Sequence, residues 1–250
     1  MDIKKVYEEG SVTKYLIKGT TPTFMNTLRR TIMTEVPCLA IEEVSFYENT
    51  GIIFDEMLAN RLGLLPIKTD TKAYKRGDKV KLVLEKEGPG IVTTKDIKCT
   101  DPKIEILDKK IYITKLVKDQ KLRLEMTALM ESGTKHAKFQ PAIVSYNEVP
   151  YINNDKIDTK NLKEIVESAP KGSIELKAGK LFLTDPYNTK IQNQPVDILE
   201  KYGAKINYSE DEFVLTIETT GQLTTQEIIE SAIKEITTKL EEIEEGIKKL

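Results

Sequence analysis

The chain has 250 residues, with 38 Lys and Arg against 40 Asp and Glu, and so balanced a charge excludes a protein that grips nucleic acid by bulk positive potential. With 39% apolar and 31% charged residues, it can build one to three compact units and is not a disordered chain. No run nears the roughly 18 apolar residues of a membrane span, and MDIKKVYEEG lacks the apolar core of a secretory signal, so the expected location is the cytoplasm.

Residues 11–18 read as a strand. In the segment that follows, Thr21 is placed to cap a helix and Pro22 to occupy its first position. Phe24, Leu28 and Ile32 recur every four residues, Met25 and Met33 widen the stripe, and Pro37 stops the run. The pattern predicts an amphipathic helix over 22–35. Residues 41–47 and 52–54 read as strands joined through Asn49, Thr50 and Gly51, after which Asp55 is expected to cap a short helix carrying Leu58 and Leu62.

From 78 to 130 the period changes to two: VKLVLE, IVTTKDI, KIEIL, KIYITKL and KLRLEMTALM are broken by Gly88-Pro89-Gly90, Asp101-Pro102 and Asp108-Lys109. The last is clearest, with Leu122, Leu124, Met126, Ala128 and Met130 on one face. After Pro150 the sequence predicts a short helix (NLKEIVES), a hairpin (SIELKAGKLFLT), another short helix (VDILEKYG) and a strand over 212–219. Thr224 and Glu227 then form a capping box opening a helix to Leu250, a rod of about 40 Å.

That helix carries the most telling pattern. Ile229, Ile233, Ile236, Leu240, Ile243, Ile247 and Leu250 are spaced alternately four and three apart, an unbroken heptad seam suited to shallow packing of helix on helix. The seam either lies on the chain's own sheet or meets another polypeptide. The early helix, about four turns against more than seven, is too short to cover it, which favours a partner chain over the distal half.

The inventory argues against catalysis. One histidine (His136) and two distant cysteines, Cys38 and Cys99, are too few for a self-contained zinc site or an iron–sulfur cluster. Neither GxxxxGK[ST], GxGxxG nor GxSxG occurs, so the usual phosphate cradles and the nucleophile elbow are missing. The cysteines read as small core or semi-buried residues.

FMNTLRRTIMTEVPCLAIEEVSFYENTG, then DEMLANRLGLLPI and GTKHAKFQPAIVSYNEVP, resemble the D-subunit family of archaeal DNA-directed RNA polymerase, related to the third-largest eukaryotic subunit and to the N-terminal domain of bacterial alpha. Asn26, Leu28-Arg29-Arg30, Pro37 and Asn60 to Pro66 stand in the expected order. The resemblance implies an α+β fold in which both chain ends (1–47 and 204–250) form a dimerisation domain. A mainly β insert domain (48–150) and a ferredoxin-like insertion (151–203) interrupt it. It implies a non-catalytic component that heterodimerises with the polymerase L subunit through Phe24, Leu28 and Ile32 and through Ile229, Ile233, Ile236, Leu240, Ile243 and Ile247. The pair would be a platform for the second-largest subunit and for the small zinc-binding N and P subunits. Chemistry would belong to magnesium-binding carboxylates of the largest subunit.

The same resemblance assigns Arg29, Arg30, Arg61, His136, Lys138 and Phe139 to large-subunit docking. On composition alone, Arg29 and Arg30 are a solvated helix face, Arg61 a charge at a helix end and His136 a loop residue. Many relatives hold iron–sulfur clusters in the insertion. Here Ser168-Ala169-Pro170 replaces a Cys-Pro and residues 185–203 contain no cysteine, so no cofactor is expected, with a mobile loop around 185–196. Two other classes compete: a homodimerising regulatory protein, and a small-molecule enzyme disfavoured by the missing motifs.

Overall fold

The alternation of Leu122, Leu124, Met126, Ala128 and Met130 builds a central strand whose inner face is wholly buried. The computed structural model describes residues 1–155, 157–188 and 195–249, and its class is α+β with antiparallel sheets. Two compact units emerge, one from Met1–Thr27 with Ser145–Thr216, the other from Leu28–Val144 with Ile217–Leu250.

In the second unit, β3 (Cys38–Asn49), β8 (Lys121–Glu131), β4 (Lys79–Glu87) and β6 (Ile97–Cys99) form one sheet in that order. Val80 lies opposite Ala128 and Leu84 opposite Leu124, so apolar residues share a face across the ladder. Onto that face pack Leu58 and Leu62 of α2 (Asp55–Gly63), with Val92 of β5 (Gly90–Thr93) and Ile113 of β7 (Tyr112–Leu116). The unit also holds most of α1 (Pro22–Thr34) and all of α5 (Thr225–Lys248).

The first unit has a sheet ordered β1 (Asp2–Glu9), β2 (Val12–Lys18), β12 (Lys205–Thr219) and β9 (Ala142–Asn153). A smaller core joins α3 (Leu162–Ser168), the hairpin β10 (Ile174–Lys177) and β11 (Lys180–Leu183), and α4 (Val196–Lys201), through Ile165, Leu181 and Leu199. The hairpin turns on Ala178 and Gly179, both at positive φ, as a two-residue turn of matching twist requires. The segment therefore packs on apolar contacts. Of the loop expected to be mobile over 185–196, residues 189–194 lie outside the described residues.

Several local expectations change. Residues 52–54 are not a strand: Asn49 accepts from Gly51 N–H at 3.1 Å and donates to the Ile53 carbonyl at 2.9 Å, turning the chain out of the sheet. β3 pairs instead with β8. Phe54, not Asp55, occupies the N-cap of α2; Asp55 lies inside the first turn and accepts from Asn49. KIEIL supplies only an isolated bridge from Ile106 to Ile67, and the strand over 2–9 was not anticipated.

Candidate functional site

The C-terminal helix opens as its sequence demands. Glu227 N–H donates to Thr224 Oγ1 at 3.3 Å and Thr224 N–H to Glu227 Oε2 at 2.9 Å, satisfying amides that a helix start leaves without partners. Just before it, buried Gln222 donates from Nε2 to the Leu39 carbonyl at 3.1 Å and accepts Thr69 N–H at 2.9 Å. The base of α5 is thus tied to β3.

Ile228 and Ala232 are the buried positions of α5, one residue before Ile229 and Ile233 of the seam. This offset decides the site. The helix spends one narrow stripe on its own unit and turns the heptad seam away from it. Ile229 and Ile236 are half-buried, whereas Ile233 is 49% exposed, Leu240 61%, Ile243 60% and Ile247 65%. Every described residue from Thr237 onward is exposed; Leu250 lies outside the described residues.

A charged hub holds the proximal half. Arg76 lies 3.5 Å from Glu131, 3.8 Å from Glu235 and 3.9 Å from Glu35, and donates to the Glu35 carbonyl at 2.9 Å. Lys239 adds a 3.0 Å pair to Glu35. Nothing local in the sequence points to Arg76, which sits among lysines in a loop. Because the Arg76 side chain is 44% exposed, its pairs are screened. We expect Arg76→Ala to cost about 1 kcal/mol, read as a lower urea midpoint, with faster amide exchange around Glu235.

The early helix departs from expectation. Leu28 and Ile32 are buried within this chain, so they are core residues and not an open partner face; Met25 completes that stripe, and Phe24 is half-buried. A 3.6-residue period marks an apolar face without saying which surface covers it. Thr21 caps this helix, accepting from Phe24 N–H at 3.3 Å. Arg30 is exposed, while Arg29 is half-buried with Nη1 3.8 Å from Met33 Sδ.

The remaining docking candidates separate as well. Phe139 is fully buried against Ala40 and Leu129, so its ring serves the chain's own core. Lys138 is pinned, with Nζ 2.5 Å from Glu42 and 3.0 Å from the Ile41 carbonyl. Lys138 and Lys135 hold the Glu42 carboxyl below its ordinary range against the opposing effect of burial. His136 Nδ1 accepts from Lys138 N–H at 3.1 Å, capping the 3₁₀ turn Ala137–Phe139. Arg61 donates to the Ile113 carbonyl at 2.9 Å, bracing α2 on β7. Phe139→Ala is expected to lower stability by about 3–5 kcal/mol, measured by urea denaturation; a docking residue would leave stability unchanged.

Comparison with known proteins matches the RNA polymerase Rpb3/Rpb11 dimerisation domain to residues 14–240. The chain belongs to this family. The Rpo3 subunit of DNA-directed RNA polymerase from Pyrococcus furiosus is 34% identical, covering 97% of this chain and 95% of that protein. The Rpo3 of Halobacterium salinarum is 31% identical over 98% and 97%, and that of Pyrococcus horikoshii 33% over 90% and 89%. The Rpb3/Rpb11 match takes in α1 and α5 as far as Leu240, so the seam's first four positions lie inside the dimerisation-family region.

The cysteines of this Rpb3/Rpb11-family chain are poor ligands. Burial pushes the Cys38 thiol up to about 11, and its sulfur sits 3.4 Å from Thr69 Oγ1. Burial and the nearby Glu105 and Asp101 raise Cys99 as well. Neither lies in 151–203, and no three His, Cys, Asp or Glu among the described residues are grouped to hold a metal. These donors do not fit an iron–sulfur cluster, which needs three or four thiolates. No helix among the described residues is long and apolar enough to cross a membrane.

Proposed function

We propose that the chain is a non-catalytic assembly component of DNA-directed RNA polymerase, the counterpart of the archaeal D-type subunits, and that it heterodimerises with the polymerase L subunit through the seam of α5. One observation carries this reading: Ile233, Leu240, Ile243 and Ile247 are large apolar side chains left 49–65% exposed on a single helix face. An aliphatic row of that length costs free energy in water and gains it when a second helix covers it, at about 25 cal/mol per Å². Family membership and the Rpo3 relatives support the polymerase context.

On this reading residues 1–47 and 204–250 are the dimerisation domain, 48–150 the insert and 151–203 a ferredoxin-like insertion without a cluster. The heterodimer presents a platform to the second-largest subunit and to the small N and P subunits. Of the docking candidates, Arg30 is exposed on α1, and its guanidinium suits a carboxylate across an interface. Sedimentation of the chain alone and with the L subunit tests the proposal. A one-to-one complex is expected; a chain that ignores the L subunit at about 10 μM would overturn it.

A further inference from the structure

We propose that Arg76 is a positioning residue for partner binding: the ionic hub it centres sets the rotation and tilt of α5, and through them the place at which the seam meets the L subunit. The inference rests on the reading that the L subunit covers the seam. It concerns a second stripe of the same helix. Ile228, Ala232, Glu235 and Lys239 are spaced four, three and four apart, and at about 100° per residue they share an arc of about 60°. The seam runs beside them, about a quarter turn away. All four are held by this chain. Ile228 and Ala232 are buried, Glu235 meets Arg76 at 3.8 Å, and Lys239 meets Glu35 at 3.0 Å.

The stripe changes chemistry halfway. Its apolar half rises only about 6 Å along the axis, and one of its two members is an alanine. Two contacts one turn apart make a pivot, about which a long rod can swing. From Glu235 to Ile247 the axis rises about 18 Å, so a swing of about 10° carries Ile247 through about 3 Å. A gap of about 1 Å already forfeits up to half of a dispersion contact, so the seam would miss its partner's surface.

The hub supplies the missing constraint. Gly77 N–H donates to the Met130 carbonyl at 2.8 Å and Met130 N–H to the Asp78 carbonyl at 2.9 Å, stitching the loop that carries Arg76 to β8. The carboxylates around Arg76 come from the end of α1 (Glu35), the end of β8 (Glu131) and α5 (Glu235), and all three are mostly covered. They form a network, not an isolated surface pair, and a planar guanidinium can serve several acceptors at once. With Arg76 removed, Lys239 is the one ion-pair partner left to the three among the described residues, and their mutual repulsion pushes α5 off its setting. The grip ends at the hub. Gly246 returns to the same arc of the helix, and a Cβ built there meets nothing within 4 Å.

Four full-length chains test this by their affinity for the purified L subunit, with urea denaturation as the control for folding: the unaltered chain, R76A, E235Q and the charge exchange R76E/E235R. A helix correctly set only about a tenth of the time weakens apparent affinity about ten-fold, which is the loss expected of R76A. E235Q, which removes one arm of the hub, is expected to lose about three-fold. The exchange returns a guanidinium to the same carboxylates from the side of α5 and is expected to bind within about two-fold of the unaltered chain. Undiminished affinity in R76A and E235Q, alongside lowered stability, would make the hub a brace of the fold alone and overturn the inference. A folded exchange variant that binds as weakly as R76A would also overturn it, because a guanidinium touching the L subunit directly cannot be replaced from α5. E235Q carries the same distinction in a mild variant: it would free a directly binding Arg76 and leave affinity intact. An unaltered chain that fails to bind the L subunit would overturn the assembly reading, and this inference with it.

Discussion

Replacing Leu240 and Ile243 together by Asp is expected to leave the chain folded and to abolish its association with the L subunit. Both side chains are about 60% exposed, so the isolated chain loses little packing, and surface changes of this kind stay within about 0.5 kcal/mol. In the complex each contributes about 1–2 kcal/mol of apolar burial, and a carboxylate in its place adds a desolvation cost. Together these exceed about 4 kcal/mol, a loss of about a thousand-fold in affinity. Ile228→Asp is the counterpart: at 0% exposure it buries a charge in the chain's own core and should destroy folding itself. Thermal melts and titration with the L subunit separate the two outcomes. Loss of folding in the double variant would show that the seam packs internally.

The second large effect is expected at Gly133. A Cβ at this position would lie 2.1 Å from the Met33 carbonyl oxygen and 2.9 Å from Gln140 Cγ. The backbone cannot simply withdraw, because Thr134 N–H and Oγ1 both donate to the Thr34 carbonyl, at 2.9 and 2.7 Å. Those bonds satisfy the last carbonyl of α1, which has no partner inside the helix. Gly133→Ala therefore costs about 3 kcal/mol, visible as a lowered urea midpoint with unchanged slope. A variant within about 0.5 kcal/mol of the parent would contradict the close approach.

What the sequence made legible was whatever a local rule decides. The alternation in β8 and the Thr224–Glu227 box each predicted an element later found, because period-two burial and end-capping are properties of short segments. Contacts over long separations were not legible. Leu28 and Ile32 show an apolar face, yet only the fold reveals that their own chain covers it. Phe139 sits in a polar, lysine-bearing segment and still becomes core, because Ala40 and Leu129 come to it through the fold. Arg76 gathers Glu35, Glu131 and Glu235 from three distant stretches, which no spacing rule connects. Residues 52–54 misled because an apolar trio resembles a strand, whereas the Asn49 side chain turns the backbone away.

For the C-terminal helix the heptad row was readable, and the structure added the decisive offset. Ile228 and Ala232 anchor the rod while the row beside them stays open. Local stability should follow that division, since amide protection tracks buried apolar contact. Gln222, the capping box and the Arg76 hub fix the first turns. Beyond Lys239 no described side chain of α5 is buried.

Amide hydrogen exchange over residues 240–249, in the isolated chain and in the presence of the L subunit, probes that division most directly. The seam's role as an interface predicts rapid exchange alone and strong protection on mixing, with residues 228–236 protected in both samples. Equal protection of 240–249 with and without the L subunit would contradict it.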